Sequence, residues 1–581
     1  MDMLKENGQH LRRSSGAKRS SGFLGRDTAF RIFMIAMVIY YGLRMFMITP
    51  WYDELYTYYW FISRGPLYAA IHWPLPNNHV GYSVLSSILM LTHNGYIALR
   101  GVSYAAALIN LYLLHRMLKD AFGGITAFAG TVLYSGLGSI MNLAVQGRGY
   151  TLSITFMLIM IMGSQAIIKG SGTKKNYLLV GIGAVAGLYT VPSSLYFVVM
   201  VFIVAGVILL IENKRRELRK TVICAVISAI VTFALYSIIW LAVGSNLLVK
   251  DRTCSYFGMS HVSVIMKSFP SAWKAGFDYM LASPYIQSVP HNEFAGKMIS
   301  WIQSEMTEMS GMNGLVTLVI LVLCIIVSNI YVFRPKNTDR KNTDRKIIDR
   351  ENTGSRDIAE ERPILCITAA LVTIADIGFF GSILMMIVSF KLPYFRVFAF
   401  WGVYIAVFAA GTISCVIDAC RNTEKRSRSI KPRPYVKAAG ILFSAASLMF
   451  MIRSAPFHSY QYGEREDMAA DALRKTYYFS SIDDSAGDAG LKGTIRDSSK
   501  PVVPAVTDCE QQYLMKFMFG DVCENTEVNG CDYVIIDKDL VAGNNEKWEY
   551  LTDHDSIDWN YVFESMREIY DNTDFKVYTN R

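Results

Sequence analysis

Between residues 29 and 452 the chain returns again and again to apolar runs of about 20 residues, the length that crosses roughly 30 Å of hydrocarbon. Lipid offers backbone amides no partner, so each run is constrained to satisfy its own hydrogen bonds as a helix. The runs stop after residue 452, and the remainder to residue 581 is polar. A chain that is 52% hydrophobic and 18% charged, with a mean hydropathy of +0.26, is not an ordinary soluble domain. The fold class expected is a polytopic α-helical membrane protein of about 11 transmembrane helices with a small C-terminal extracytoplasmic α/β domain.

Charge sets the orientation. The net charge of +9 conceals a separation, because residues 453–581 hold 13 Lys and Arg against 25 Asp and Glu, a net of −12, which leaves +21 on the rest. Basic residues gather in alternate loops: HRMLKD (115–120), IIKGSGTKK (167–175), ENKRRELRK (212–220), RPKNTDRKNTDRK (334–346) and RNTEKRSRSIKPRPYVK (421–437). Basic loops are retained in the cytoplasm. Threading the runs through them predicts crossings at 29–49, 97–115, 121–141, 151–168, 177–191, 194–211, 221–242, 313–333, 364–389, 395–417 and 436–452. The first span is expected to be uncleaved, with residues 1–28 a basic cytoplasmic tail and 29–452 the membrane domain of a multi-pass plasma-membrane protein. Within it, 334–362 reads as a solvated cytoplasmic linker carrying the repeat KNTDRKNTDRK. The odd count of crossings places 453–581 outside, where DMAADALRKTYYF, PVVPAVT, QQYLMKFMFG, DYVIID and FKVYTN alternate helix-like and strand-like patterns. Arg44 is the clear charge inside an apolar run, near enough to its end to snorkel. The nine cysteines show no CxxC spacing; Cys509, Cys523 and Cys531 fall in the external tail, where an oxidising compartment can pair two of them.

This topology gathers distant residues on the outer side. Loop 50–96 opens with PWYDELYTY, in which Asp53 and Glu54 are walled by Trp51, Tyr52, Tyr56, Tyr58 and Tyr59, and continues through Asn77, Asn78 and His79. The turns NLAVQGRGYT (142–151) and KLPYFRVF (391–398) are external too, which places Arg148 and Arg396 at the same boundary as Asp53 and His79. The longer outer loop 243–312 includes VSVIMKSFPSAWKAGFDYML, whose aromatic and lysine mixture suits a helix lying in the interface. Aromatic walls desolvate a carboxylate and raise its proton affinity, which makes it a candidate base. Taken singly, the acidic pair reads as a solvated cap, each arginine as an interfacial anchor, and His79 as a loop hydrogen-bonder.

The order of the pieces adds to this. YDELYT (52–57), PNNHVGYSVLSSIL (76–89), ALRGVSYAAALINLYLLHRMLKDAFG (98–123), QGRGYTLSITFMLI (146–159) and LPYFRVFAFWGVY (392–404) resemble the GT-C superfamily of membrane glycosyltransferases, in its protein O-mannosyltransferase and aminoarabinose transferase branch (glycosyltransferase family 39-like). The resemblance covers residues 30–200 best, and the rest mainly by topology. This chain has His79-Val80-Gly81 where the family often has His-Pro-Pro, and Val397 where a tyrosine commonly follows the arginine. The resemblance implies a hexosyl or pentosyl transferase that moves sugar from a polyprenyl-phosphate donor to a hydroxyl on a glycan, lipid or protein, inverting the anomeric centre. It implies Asp53 as catalytic base with Glu54 positioning Asp53, the acceptor or a cation, Arg148 and Arg396 as phosphate ligands, and Asn78, His79, Tyr150 and Tyr56 as substrate-binding residues. No cofactor is required, a divalent cation near Asp53, Glu54 and His79 is left open, and nucleic acid is no partner. The rival readings are a transporter or lipid flippase and a non-catalytic envelope scaffold.

Overall fold

The computed structural model describes residues 22–73, 78–281, 288–334, 362–426, 464–486, 504–506, 509–520, 528, 531–542 and 558–580. From the amino terminus run α1 (Gly22–Met47), α2 (Tyr52–Trp60), α3 (Pro66–Ile71), α4 (Val80–Ile88), α5 (Gly95–Phe122), α6 (Gly124–Gly136) and α7 (Gly138–Leu143). Next come α8 (Tyr150–Ile168), α9 (Lys174–Thr190), α10 (Leu195–Ile211), α11 (Arg215–Lys250), α12 (His261–Lys267), α13 (Phe269–Leu281) and α14 (His291–Ser310). The series continues with α15 (Gly314–Phe333), α16 (Arg362–Ser389), α17 (Trp401–Arg426), α18 (Glu464–Ala486) and α19 (Cys509–Phe519). Among them α1, α5, α8, α10, α11, α15, α16 and α17 are long and apolar enough to cross a membrane. The chain is a polytopic α-helical membrane protein.

The run expected to cross at 121–141 is divided. Leu137 adopts an extended conformation between Gly136 and Gly138, so a 13-residue α6 gives way to a 6-residue α7. Two glycines remove the side-chain contacts that would favour continuing the helix, and permit the break. The run at 177–191 is the 17-residue α9, and the one at 436–452 lies outside the described residues. In the expected outer loop, α13 lies along α11 at backbone contact: a Cβ on Gly244 would stand 1.7 Å from the Ala272 carbonyl oxygen, and one on Gly276 1.9 Å from that of Trp240. Only glycine allows that approach.

Charge within the spans departs from expectation. Arg44 does not snorkel: it is fully buried and donates to Asn142 Oδ1 of α7 at 3.4 Å. Nor is it alone, since Arg100 in the first turns of α5 is fully buried and Asp376 of α16 accepts from Asn329 of α15 at 3.1 Å. Such groups persist in apolar surroundings only when partnered.

The C-terminal part is an α/β unit. A four-stranded sheet has the order β1 (Pro504–Val506), β2 (Tyr533–Asp537), β4 (Phe575–Thr579), β3 (Arg567–Asp571), with β1 parallel to β2 and the other pairs antiparallel. Val534, Ile535, Val577 and Phe575 form its apolar core with Leu473 of α18 and Leu514 of α19. Leu55 of α2 belongs to that same core. Of Cys509, Cys523 and Cys531, the expected candidates for a disulfide, Cys523 and the side chain of Cys509 lie outside the described residues.

One buried group predicts a pH effect. Glu305 of α14, in the expected outer loop, is wholly buried, and neither carboxylate oxygen has a hydrogen-bond partner among the described residues. Burial pushes its proton affinity well above the usual range, and Glu308, itself pushed up to about 7, adds to this. A carboxyl raised on folding contributes stability that is fully present below its unfolded value, ~4.3 for Glu, and is lost as pH rises through the folded value. Glu305→Gln is therefore expected to raise the unfolding temperature at pH 8 and to change it little at pH 5. Equal shifts at the two values would show that Glu305 is ionised throughout.

Candidate active site

The site begins with the two and a half turns of α2. Asp53 and Glu54 occupy its first turn, where carboxylates complement unsatisfied amides and the helix dipole, and Glu54 closes the turn by accepting the Trp51 N–H at 3.0 Å. Successive helical residues point about 100° apart. The two carboxylates consequently part company.

Asp53 faces the turn between α16 and α17. Arg396 Nη2 stands 2.9 Å from its Oδ2, and the same guanidinium donates from Nε to Tyr150 Oη at 3.2 Å. Trp51 and Tyr394 flank it, their ring centroids 4.9 and 4.8 Å from Arg396 Cζ. Cation–π contact with two rings restrains a guanidinium, so the direction of its fork is set before any ligand arrives.

Glu54 turns inward. It is fully buried, and Arg100 grips it bidentately, Nε on Oε1 and Nη2 on Oε2, both at 2.8 Å. The Gly147 N–H donates to Oε1 as well. Arg100 continues to the last carbonyls of α1, with Nη1 at 3.0 Å from Met45 O and 2.7 Å from Ile48 O. Glu54 and Arg100 thus pin the end of α1, the start of α5 and the 146–149 turn to α2. Glu54, expected to position Asp53, the acceptor or a cation, is instead engaged by Arg100 and the Gly147 N–H.

Arg148 and His79 complete the surroundings. Arg148 Nη1 donates to Thr57 Oγ1 at 2.8 Å, and Thr57, one turn beyond Asp53 on the same face of α2, donates to the Asp53 carbonyl at 2.7 Å. His79 Nδ1 accepts the Gly149 N–H at 2.8 Å, which assigns the proton of a neutral ring to Nε2. Burial holds the imidazole neutral well below the usual histidine range, helped by the positive charges of Arg148 and Arg396. His79 Nε2 and Arg148 Nη2 stand 3.4 Å apart. Two donors side by side can share one acceptor. Tyr150 packs edge-on against His79, with centroids 4.7 Å apart.

The glycines around Arg148 have a steric reason. A Cβ on Gly147 would fall 2.6 Å from Leu99 Cδ1 and 3.0 Å from Glu54 Oε1, and one on Gly149 would fall 2.8 Å from Thr190 Cγ2. Gly-Arg-Gly lets the turn lie against α2, α5 and α9 at once.

Of the expected residues, Asp53, Arg148, Arg396, His79 and Tyr150 converge. Asn78 does not: its amide donates to Ala69 O and His72 O, both at 2.9 Å, and its oxygen accepts from Ser83 at 2.8 Å, so it serves as a brace for the loop between α3 and α4. Tyr56 packs among Tyr52, Trp60 and Phe61. Among the described residues no three His, Cys, Asp or Glu side chains gather as a metal site. Arg100 and Thr57 are the site residues that sequence reasoning missed; for Arg100 a signal existed, since it is a charge inside an apolar run.

No family model matches the chain, and no curated protein matches it in sequence. Among solved structures, the fold matches ArnT from Cupriavidus metallidurans bound to undecaprenyl phosphate at 10% identity and a TM-score of 0.43, over 97% of this chain and 98% of that one. It matches the Archaeoglobus fulgidus oligosaccharyltransferase in its apo form at 12% identity and a TM-score of 0.40, over 94% of this chain and 74% of that one. The same enzyme in complex with Zn and sulfate matches at 10% identity and a TM-score of 0.39, over 94% and 73%. At this level of similarity the functional reading rests on the side chains themselves.

Proposed function

We propose that this protein is a membrane glycosyltransferase that moves a sugar from a polyprenyl-phosphate donor to a hydroxyl acceptor at the outer face of the membrane. One observation carries the reading: the half-buried carboxylate of Asp53 meets Arg396, while a second guanidinium, Arg148, reaches Thr57 one turn further along α2 and stands beside the neutral His79 imidazole, among helices apolar enough to cross a membrane. A lipid-linked substrate leaves its tail in the hydrocarbon and presents its phosphate at such an end. The undecaprenyl phosphate bound to ArnT is a ligand of the class envisaged.

In this reading Asp53 accepts the proton of the acceptor hydroxyl as its oxygen attacks the anomeric carbon. The bond from that carbon to the phosphate oxygen breaks with its electron pair passing to the phosphate, and a single displacement inverts the centre. Arg396 and Arg148, with His79 Nε2–H, stabilise the charge that grows on the departing phosphate. Arg396 holds Asp53 in the present arrangement, so a phosphate drawing the guanidinium toward itself also releases the base. The test is to incubate the purified protein with a panel of polyprenyl-phosphate sugars and acceptors and follow release of polyprenyl phosphate. Movement of an intact lipid across vesicles with no release would favour the flippase reading instead.

Arg396→Lys is expected to lower kcat/KM for the donor by about 10²-fold, the scale of losing one aimed donor at a developing oxyanion. An ammonium reproduces neither the fork to Asp53 and Tyr150 nor the flat face that Arg396 offers to Trp51 and Tyr394. Wild-type turnover by a folded Arg396→Lys variant would make Arg396 an interfacial anchor.

A further inference from the structure

The C-terminal domain packs against α2 as well. Tyr513 of α19 stacks on Tyr59 with centroids 5.5 Å apart at 21°, and its hydroxyl accepts from Trp60 Nε1 at 2.9 Å. Phe517 meets Tyr58 and Tyr96 edge-on at 5.3 and 5.0 Å, which ties α2 to the start of α5. Lys516 Nζ lies 4.8 Å from the centre of the Tyr59 ring. Ahead of α2, Thr49 Oγ1 donates to Asp467 Oδ1 of α18 at 2.7 Å, and Leu55 is 1% exposed within the apolar core of the domain.

A nine-residue helix is far too short to be stable by itself. Its orientation must come from what it packs against. On one side that is the Glu54–Arg100 pair; on the other it is α19 and the domain core. We infer that the C-terminal domain is a positioning element of the active site, with Tyr513 and Phe517 setting the rotation of α2 that brings Asp53 and Thr57 to Arg396 and Arg148. The inference rests on the glycosyltransferase reading and gives the domain a part in the chemistry without placing any of its residues on the substrate. Tyr513 acts through Asp53. A small rotation of α2 would move the carboxylate off the attack line, and misplacement on the scale of 1 Å can cost 10²-fold in rate.

The experiment uses the full-length protein with the polyprenyl-phosphate sugar that it turns over, and undecaprenyl phosphate as the binding probe. Tyr513→Ala is expected to lower kcat by about tenfold or more while binding of undecaprenyl phosphate stays within about twofold, since Arg148 and Arg396 belong to other elements. Tyr513→Phe keeps the stacking ring and should recover most of the rate. The decisive arm is a double-mutant cycle: in an Asp53→Asn background Tyr513→Ala should cost little more, because the group it positions is already gone. Additive losses in the cycle, or equal losses of kcat and of lipid binding, would overturn the positioning role and leave the glycosyltransferase reading standing. Wild-type transfer by Asp53→Asn alone, or no release of polyprenyl phosphate from any donor in the panel, would remove that reading and the inference with it.

Discussion

Asp53→Asn is expected to reduce sugar transfer 10²- to 10⁴-fold, the range lost when a general base is removed. Asparagine keeps the shape and hydrogen-bonding reach of the side chain but accepts no proton. The structure adds a second expectation. Arg396 stands 2.9 Å from Asp53, so the substitution takes away the guanidinium's counter-charge and leaves it to an incoming anion. Binding of undecaprenyl phosphate should therefore be unchanged or tighter while turnover falls. Transfer at the wild-type rate would show that the Asp53–Arg396 pair is a surface clasp; a parallel fall in binding and turnover would show that Asp53 shapes the site without acting as its base.

Arg100→Met is expected to cost the fold about 3–5 kcal/mol, the penalty for leaving one member of a buried ion pair without its partner. Both side chains are fully buried, so solvent cannot take over the lost contacts. The same change strands the carbonyls of Met45 and Ile48 at the end of α1. Glu54→Gln should be milder, because an amide still accepts from the Gly147 N–H and from Arg100. The combination Glu54→Leu with Arg100→Met should recover part of the loss, since a buried pair replaced by apolar groups of similar volume is often neutral. Thermal unfolding and yield of folded protein in detergent measure all of these. If Arg100→Met unfolds within about a degree of wild type, the pair is incidental and α2 is held by the C-terminal domain alone.

These two predictions separate residues that stand next to each other in the chain. In DEL the carboxylates are equivalent as sequence: both are acidic, both lie in the first turn of a short helix, and both are flanked by aromatics. The helical rotation of about 100° per residue sends one to Arg396 and the other to Arg100. Nothing local decides which. That depends on α5 and the 391–400 turn being where they are. For the same reason Asn78 reads as a substrate ligand beside His79, whereas its three hydrogen bonds are spent on Ala69, His72 and Ser83.

What the sequence determines by itself is the part governed by the bilayer. An apolar run of about 20 residues has one outcome, a helix, because hydrocarbon leaves its amides no other partner. The positions of α1, α5, α8, α10, α11, α15, α16 and α17 were legible for that reason, as were the strand-like and helix-like stretches of the C-terminal unit. The residue types gathered at Asp53, His79, Arg148, Tyr150 and Arg396 were legible too, because polar groups in short loops between spans are few. Only the tertiary structure decides which of them touch and with which atoms. Asp53 and Arg396 are nearly 350 residues apart, and their 2.9 Å contact depends on the packing of helices whose apolar surfaces carry little information about partner or angle. Lipid solvates all such surfaces alike, so the choice falls to close backbone approaches at glycine and to buried polar pairs such as Glu54 and Arg100.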